Sequence, residues 1–230
     1  MASPSPKKAA VIDYGLGNLF SVAQACSAAK LVPTVTSAAR EIASSDVVIL
    51  PGIGAFADAM ASLGELGLVP VLRDVASSGQ LLVGICLGLQ LLMDSGEEFG
   101  FYEGLGVIEG TVVPFKDPRG PRGPLKVPQI GWNGIHRAAP GAAVDPWQRT
   151  PLEGLDDGTF MYFTHTFYVE PADPNVVLST SRYGDIEFCS SVRQANIYGF
   201  QFHPERSGPH GLAIYGNISA LAGATKVKHA

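Results

Sequence analysis

The sequence has few cysteines and no long apolar run. Its three cysteines, Cys26, Cys86 and Cys189, are an odd number at wide spacing and form no Cys-x-x-Cys pair. This pattern excludes a disulfide framework, contains no zinc motif and is typical of a reducing compartment. No stretch reaches the roughly 18 apolar residues of a membrane helix, and the amino end has no apolar segment of signal-peptide length. We therefore expect a cytoplasmic protein that does not bind a membrane.

Charge of either sign is also sparse. Charged residues make up 16% of the 230 residues, and the formal net charge is −5. This balance gives no electrostatic reason to bind nucleic acid, so a small molecule or a protein partner is the expected ligand. The histidines have no metal-ligand spacing with acids or cysteines, and we predict no metal site. The stretch DYGLGN at 13–18 lacks the third glycine of G-x-G-x-x-G, so we assign no cofactor.

Apolar residues, in contrast, are plentiful at 46% of the chain, which is enough for one sizeable core without disulfide or metal staples. Residues 1–8 are rich in Ser, Pro and Lys and are predicted to form a disordered tail. We expect residues 9–225 to form a single domain.

The first half of that domain alternates between two kinds of segment. Four short, nearly all-apolar runs predict strands buried on both faces: AAVID, LVPTVT, DVVIL and QLLVGI. Segments of helical length lie between them, such as 19–29 and 55–77. This alternation favours an α/β fold with a flavodoxin-like, doubly wound, mostly parallel sheet. Beyond Gly104, consecutive strands separated by Gly, Pro and Asp turns predict an antiparallel extension that returns to the main sheet.

The run GICLG at 84–88 has the form G-x-C-x-G, the thiol version of a nucleophile elbow. It follows a predicted strand and precedes a helical stretch, as that motif requires. A helix N-terminus there would favour the thiolate of Cys86. The alternative is a small buried hydrophobe in a core strand. The motif alone leaves both interpretations open.

The run FQFHPE at 200–205 places His203 and Glu205 at i and i+2, on one face of an extended strand. A carboxylate beside an imidazole can hold its tautomer and stabilise the imidazolium. Taken alone, a solvated strand end with a surface ion pair is the simpler interpretation. Together with Cys86, however, the two residues supply the nucleophile, base and orienting group of covalent acyl transfer.

The run LPGIGAF at 50–56 follows another predicted strand and should lie at the same edge of the sheet as Cys86. Such a loop can direct backbone N–H groups at a developing oxyanion. A plain strand-to-helix turn remains the alternative.

These motifs, in this order and spacing, resemble the class I (triad) glutamine amidotransferases. More narrowly, DYGLGNLFS at 13–21, KVPQIGWN at 126–133 and HTFY at 165–168 are similar to the glutaminase subunits of imidazole glycerol phosphate synthases of histidine biosynthesis. The resemblance extends from Ala9 to Leu221.

The resemblance implies a role for each matching residue. Cys86 would attack the carboxamide carbon of glutamine, His203 would act as base and then acid, and Glu205 would orient His203. The oxyanion would be held by the N–H of Leu87 and by the backbone of Gly52 and Ile53. The amino acid head group of the substrate would be bound by the following residues: Gln90, Glu98, His165, Thr166 and Phe167.

The resemblance also implies a partner. Ammonia would pass to a separate (β/α)₈ cyclase subunit in a heterodimer, with Asn18, Lys126, Trp132 and Asn133 at the interface. Local roles are the alternatives: a helix cap for Asn18, a surface charge for Lys126 and a core aromatic for Trp132. Two other functions stay open: the glutaminase subunit of pyridoxal phosphate synthase, and a non-catalytic regulatory protein of the same fold.

Two features depart from the family pattern. Gln129 stands where the family often has His, so no role is assigned to its side chain. The segment at 141–158, GAAVDPWQRTPLEGLDDG, is longer than expected and is predicted to be a surface insertion.

Overall fold

The computed structural model describes residues 6–138 and 144–224. The first half alternates strands and helices, as the sequence predicts. The strands are β1 (Lys7–Ile12), β2 (Leu31–Thr36), β3 (Val47–Leu50) and β4 (Leu81–Ile85). The helices are α1 (Leu19–Ala28), α2 (Ala39–Ala43), α3 (Phe56–Glu65) and α4 (Leu68–Ser78). All four strands pair in parallel, in the order β2, β1, β3, β4.

Two predicted boundaries need correction. β1 begins at Lys7, two residues before the predicted start of the domain, so Lys7 and Lys8 do not belong to a tail. Residues 1–5 of the predicted tail and the predicted last domain residue, 225, lie outside the described residues. The helical segment predicted over 55–77 is two helices, because Gly67 adopts a left-handed conformation at φ 66° between α3 and α4.

The second half supplies two further helices and the remaining strands. The helices are α5 (Leu87–Leu91) and α6 (Gly208–Ala224). The strands are β5 (Ser95–Gly96), β6 (Tyr102–Glu103), β7 (Gly110–Pro114), β8 (Arg119–Gly120), β9 (Gly123–Pro124), β10 (Gln129–Gly134), β11 (His136–Arg137), β12 (Phe160–His165), β13 (Phe167–Pro171), β14 (Val177–Tyr183), β15 (Ile186–Gln194) and β16 (Ile197–Phe200).

The antiparallel extension returns to the main sheet through β16. This strand pairs in parallel with β4 on one side and antiparallel with β15 on the other. The main sheet has twelve strands, and its central path runs β2, β1, β3, β4, β16, β15, β13, β7, β5, β6. The predicted α/β class with a mostly parallel sheet and an antiparallel extension is therefore confirmed. β10 and β12 form a separate two-stranded ribbon.

The core lies on both faces of the sheet because the central strands are apolar throughout. Every residue of β3 and of β4 is buried. One face of the sheet packs against α1 and α6, and the other packs against α3 and α4, whose buried residues recur at helical spacing as in Leu68, Leu72 and Val75.

The segment predicted as a surface insertion is partly a core element. Residues 139–143 lie outside the described residues, but Trp147 and Leu152 are fully buried in the core. The indole N–H of Trp147 donates to the Leu178 carbonyl at 2.9 Å, and the Arg137 guanidinium lies 4.2 Å above its ring. The surface prediction is wrong for this part because its apolar residues fill the core.

Within the part of the chain that the structure describes, no helix is long and apolar enough to cross a membrane.

Candidate active site

The nucleophile elbow is formed where β4 meets α5. Cys86 is the residue between them, and it adopts φ 54° and ψ −110°, a conformation that side-chain-bearing residues rarely take. The flanking glycines are required by close approach. A Cβ at Gly84 would lie 2.7 Å from the Gly88 carbonyl oxygen, and a Cβ at Gly88 would overlap the carbonyl oxygen of Leu50. The elbow geometry predicted from G-x-C-x-G is therefore present.

His203 and Glu205 are in contact, although not by the predicted strand geometry. β16 ends at Phe200; His203 is extended and precedes a 3₁₀ turn over Pro204–Arg206 that contains Glu205. The Nδ1 of His203 lies 2.8 Å from Oε1 of Glu205, and both side chains are almost fully buried. This carboxylate fixes the Nδ1–H tautomer and leaves Nε2 for chemistry.

Charge links His203 to Cys86. Burial lowers the pKa of His203, but the charge of the Cys86 thiolate and the contact with Glu205 outweigh it and raise the pKa to about 10. Nε2 of His203 is buried and has no hydrogen-bond partner among the described residues, so His203 interacts with Cys86 through charge. A negative charge on Cys86 therefore favours the imidazolium form of His203.

The sulfur has two further polar neighbours. Cys86 Sγ lies 3.7 Å from the Thr164 carbonyl oxygen and 3.7 Å from Nε2 of Gln201. Gln201, which is fully buried, also accepts a hydrogen bond from Nε2 of Gln90 at 3.2 Å. The same Gln90 nitrogen donates to the Phe167 carbonyl at 3.0 Å.

A cleft of about 420 Å³ opens beside the sulfur. Its lining includes these residues that the sequence predicts for the site: Ile53, Cys86, Leu87, Gln90, Glu98 and the run His165–Phe167. Gly54, Pro128, Thr164 and Arg206 also line it. The cleft is large enough for a free amino acid and has polar groups at its walls.

Glu98, which lines the cleft, accepts a hydrogen bond from the backbone. Its Oε2 accepts a hydrogen bond from the N–H of Phe56, the first residue of α3, at 2.6 Å. A carboxylate at a helix N-terminus is held in place by the unsatisfied amides of the first turn. The structure therefore fixes the position of this charge at the cleft wall.

His165 lies behind the cleft among aromatic rings. Its ring centroid is 5.2 Å from that of Phe115 and 5.3 Å from that of Phe188. Nδ1 donates to the Phe167 carbonyl at 2.8 Å. Burial lowers the pKa of His165 to about 4; the hydrogen bond to Phe167 opposes this shift and the charge of His203 adds to it. His165 is therefore neutral at pH 7.

The predicted oxyanion loop packs on the elbow. A Cβ at Gly52 would lie 2.8 Å from Cβ of Leu87, so only glycine allows this approach. The buried hydroxyl of Tyr14 donates to the Pro51 carbonyl at 2.7 Å and fixes the orientation of that peptide. The structure thus brings Gly52, Ile53 and Leu87 to one end of the cleft.

The four predicted interface residues lie at the surface or near it. Trp132 is 56% exposed, so the alternative of a core aromatic is wrong. Asn18 lies near the surface and accepts a hydrogen bond from Ser21 N, so it does cap α1. Lys126 is exposed, and Asn133 donates to the Arg182 carbonyl at 2.9 Å.

Sequence reasoning missed several residues of the site, among them Gln201, Tyr14, Thr164 and Arg206. Gln201 was the recognisable one, because its amide interrupts the otherwise apolar run FQF at 200–202. Tyr14 and Thr164 act through a hydroxyl and a carbonyl whose partners are remote in sequence, and no local pattern signals them. Among the described residues, no group of three or more His, Cys, Asp or Glu residues is arranged to hold a metal ion.

Comparison with known proteins gives a family match over most of the chain. The family model for "Glutamine amidotransferase class-I" matches residues 10–219. The chain is 43% identical over 221 residues to "Imidazole glycerol phosphate synthase subunit HisH" of Moorella thermoacetica, covering 96% of each chain. The protein of the same name from Aquifex aeolicus is 43% identical over 216 residues, covering 92% of this chain and 96% of the relative.

Solved structures give the same fold at low identity. The chain superposes on a structure of PurLQS from Thermotoga maritima with a TM-score of 0.70 and 18% identity, over 93% of this chain and 97% of that one. A crystal structure of a glutamine amidotransferase gives a TM-score of 0.68 at 19% identity, covering 93% of this chain and 98% of that one. At these identities the likeness concerns the fold alone.

Proposed function

The chain belongs to the class-I glutamine amidotransferase family, and from this premise we propose that it is the glutaminase subunit of an imidazole glycerol phosphate synthase. It hydrolyses glutamine to glutamate and ammonia, and it delivers the ammonia to a separate cyclase subunit in a heterodimer. Relatives with this name match the chain over nearly their whole length. This match favours the cyclase of imidazole glycerol phosphate synthase as the partner, and not the partner subunit of a pyridoxal phosphate synthase. The geometry that carries the proposal is a strained Cys86 at the cleft with a buried His203–Glu205 pair behind it.

The reaction proceeds by acyl transfer through Cys86. The thiolate attacks the carboxamide carbon of glutamine, which forms a C–S bond and a tetrahedral oxyanion. His203 donates its proton to the departing nitrogen as the C–N bond breaks, so ammonia leaves and a glutamyl thioester remains. His203 then takes a proton from water, whose oxygen attacks the thioester and releases glutamate and the thiolate. Glu205 keeps the imidazole oriented through both steps.

Backbone amides stabilise the oxyanion. The N–H of Leu87 at the start of α5 and a backbone N–H of Gly52 or Ile53 serve as donors. The close packing of Gly52 on Leu87 supports this assignment, because both backbone segments meet at the sulfur end of the cleft. One such donor contributes about 10²–10³ in rate.

The cleft wall binds the amino acid head group of the substrate. The Glu98 carboxylate, fixed by the Phe56 N–H, attracts the α-ammonium group. Gln90 and the backbone of His165–Phe167 complete the pocket. No cofactor takes part.

The cyclase covers the ribbon of β10 and β12. Ile130, Trp132 and Phe160 point to one face of this ribbon and are 64%, 56% and 60% exposed. Thr164 is on the same face and lines the cleft, so a partner that covers the ribbon also covers the cleft entrance. Lys126, Asn133 and Asn18 contribute at the rim of this interface.

We further propose a single domain that includes residues 7–224 and a cytoplasmic location. The three buried free cysteines suit a reducing compartment.

Glutamate release from glutamine tests this function directly. It should be measured for the chain alone, and then with a matched cyclase and the nucleotide substrate of that cyclase. We expect release to rise in the complex and Cys86→Ala to lower it by more than about 10³-fold, because the thioester cannot form.

Cys189→Ala is the control, because Cys189 is a buried thiol bonded to the Ser191 carbonyl and not to the site. It should retain the activity. Unchanged release in Cys86→Ala would refute the mechanism, whereas a cyclase that neither binds nor stimulates the chain would refute only the assigned partner.

A further inference from the structure

A chain of side-chain amides connects the cleft to the sulfur. Gln90 lines the cleft, and its Nε2 donates to Oε1 of Gln201 at 3.2 Å. Gln201 is fully buried, and its Nε2 lies 3.7 Å from Cys86 Sγ. Gln201 has no exposure to substrate of its own, so it can act on the reaction only through these two neighbours.

A backbone carbonyl fixes the orientation of both amides. The Phe167 carbonyl can only accept, so the Gln90 atom 3.0 Å from it must be the NH₂ group. That NH₂ group is also 3.2 Å from Gln201, which must therefore present its oxygen there. The remaining NH₂ group of Gln201 faces the sulfur. Reversing either amide would oppose two acceptors or two donors.

The two polar neighbours of the sulfur favour opposite protonation states. The Thr164 carbonyl can accept only from a thiol S–H, whereas the Gln201 NH₂ group donates to a thiolate. The titratable and charged groups around the sulfur are His203 and Glu205 beyond β16, Tyr14 beyond β1, and Glu98, His165 and Arg206 in the wall of the cleft. Gln201 is an uncharged donor to the sulfur.

We propose that Gln201 is a positioning residue that holds the Cys86 thiolate by hydrogen bonding and is itself oriented by Gln90 in the wall of the cleft. The proposal deepens the glutaminase function and rests on it. The contact between Gln90 Nε2 and Gln201 Oε1 keeps the Gln201 NH₂ group directed at the sulfur.

The test is the pH dependence of Cys86 alkylation by iodoacetamide in the free chain, followed by mass spectrometry of the peptide that carries Cys86. Only the thiolate reacts, so the profile reports its population. Gln201→Met keeps the side-chain length but removes the donor, and the midpoint should move up by about one pH unit. Gln201→Glu places a carboxylate at the sulfur and should move the midpoint further up.

Gln194→Met is the matched control. Gln194 is a half-buried glutamine whose Nε2 donates to the Val107 carbonyl at 2.9 Å, away from the sulfur. Its midpoint should equal that of the unchanged chain. A residue needed only for packing would change the alkylation rate at every pH without moving the midpoint.

The inference is overturned if folded Gln201→Met and Gln201→Glu both retain the original midpoint. If one of them does not fold, the other decides. Alkylation does not require turnover, so the glutaminase assay with the cyclase tests the function separately. A shifted midpoint in a chain that releases no glutamate would refute the function and leave the role of Gln201 intact.

Discussion

Cys86, the proposed nucleophile, has an unfavourable backbone conformation. A non-glycine residue at φ 54° and ψ −110° costs on the order of 1–3 kcal/mol, and the close packing of Gly84 and Gly88 holds it there. The strained conformation holds the sulfur off the sheet. There the amide of Gln201 and the charge of His203 interact with it. The sequence motif predicts this residue because the requirement for two glycines is local.

His165 should make the stability of the fold depend on pH. Its pKa is about 4 in the folded chain against about 6.5 unfolded, so between these values the unfolded chain binds a proton that the folded chain does not. Lowering the pH from 6.5 to 4 should therefore reduce the free energy of unfolding by about 3 kcal/mol. Denaturant unfolding at a series of pH values measures this.

His165→Asn removes the titratable imidazole and retains a donor for the Phe167 carbonyl. The decrease in the free energy of unfolding between pH 6.5 and 4 should therefore become smaller. His136→Asn is the comparison, since His136 is exposed and pairs with Asp157 on the surface. A pH dependence that persists in His165→Asn would exclude His165 as its source.

At the scale of elements, the elbow depends on the distance between β3 and α5. Gly88→Ala would force its Cβ into the Leu50 carbonyl, so β3 and α5 must separate. We expect a loss of several kcal/mol in the free energy of unfolding and of most glutaminase activity. Thermal unfolding and glutamate release measure the two effects.

Gly216→Ala is the matched change. Gly216 lies in the interior of α6, and a Cβ there meets no atom within 4 Å. This variant should gain about 0.5–1 kcal/mol, because alanine favours helix. Equal stability of the two variants would contradict the steric account of the elbow.

The elements that sequence predicts well are those with local signals. The apolar runs identify the positions of β1 to β4. The prediction that LVPTVT is buried on both faces is wrong, because β2 is an edge strand and Val32 and Val35 are exposed. The spacing of the motifs predicts that Cys86, His203 and Glu205 act together. The strand predicted through Glu205 is instead a 3₁₀ turn, because a buried contact with His203 determines the position of Glu205. Trp147 was missed because the partner of its indole N–H, the Leu178 carbonyl, lies 31 positions away in sequence.

For the whole molecule, the exposed ribbon face predicts how the partner binds. Trp132→Ala removes the largest apolar side chain of that face and should weaken cyclase binding by at least tenfold, roughly the effect of a central interface aromatic. Trp132 is more than half exposed and lies edge-on to the Tyr162 ring, at 6.0 Å between centroids, so the free chain should keep its melting temperature. Titration calorimetry with the cyclase measures the affinity.

Val35→Ala is the control for this measurement. Val35 is 44% exposed on β2, an edge strand of the main sheet that does not pair with the ribbon. It should bind the cyclase as the unchanged chain does. An equal affinity loss in both variants would show that the effect is not specific to the ribbon.

The position of β16 also sets when the enzyme becomes active during its synthesis. The pairing of Ile197 with Leu82 and of Phe200 with Ile85 joins residues more than a hundred positions apart in the middle of the sheet. A ribosome makes Cys86 early, but the strand that leads to Gln201, His203 and Glu205 emerges only after most of the chain. A chain synthesised only as far as α5 therefore contains Cys86 without these three residues, and the site cannot assemble until β16 joins the sheet.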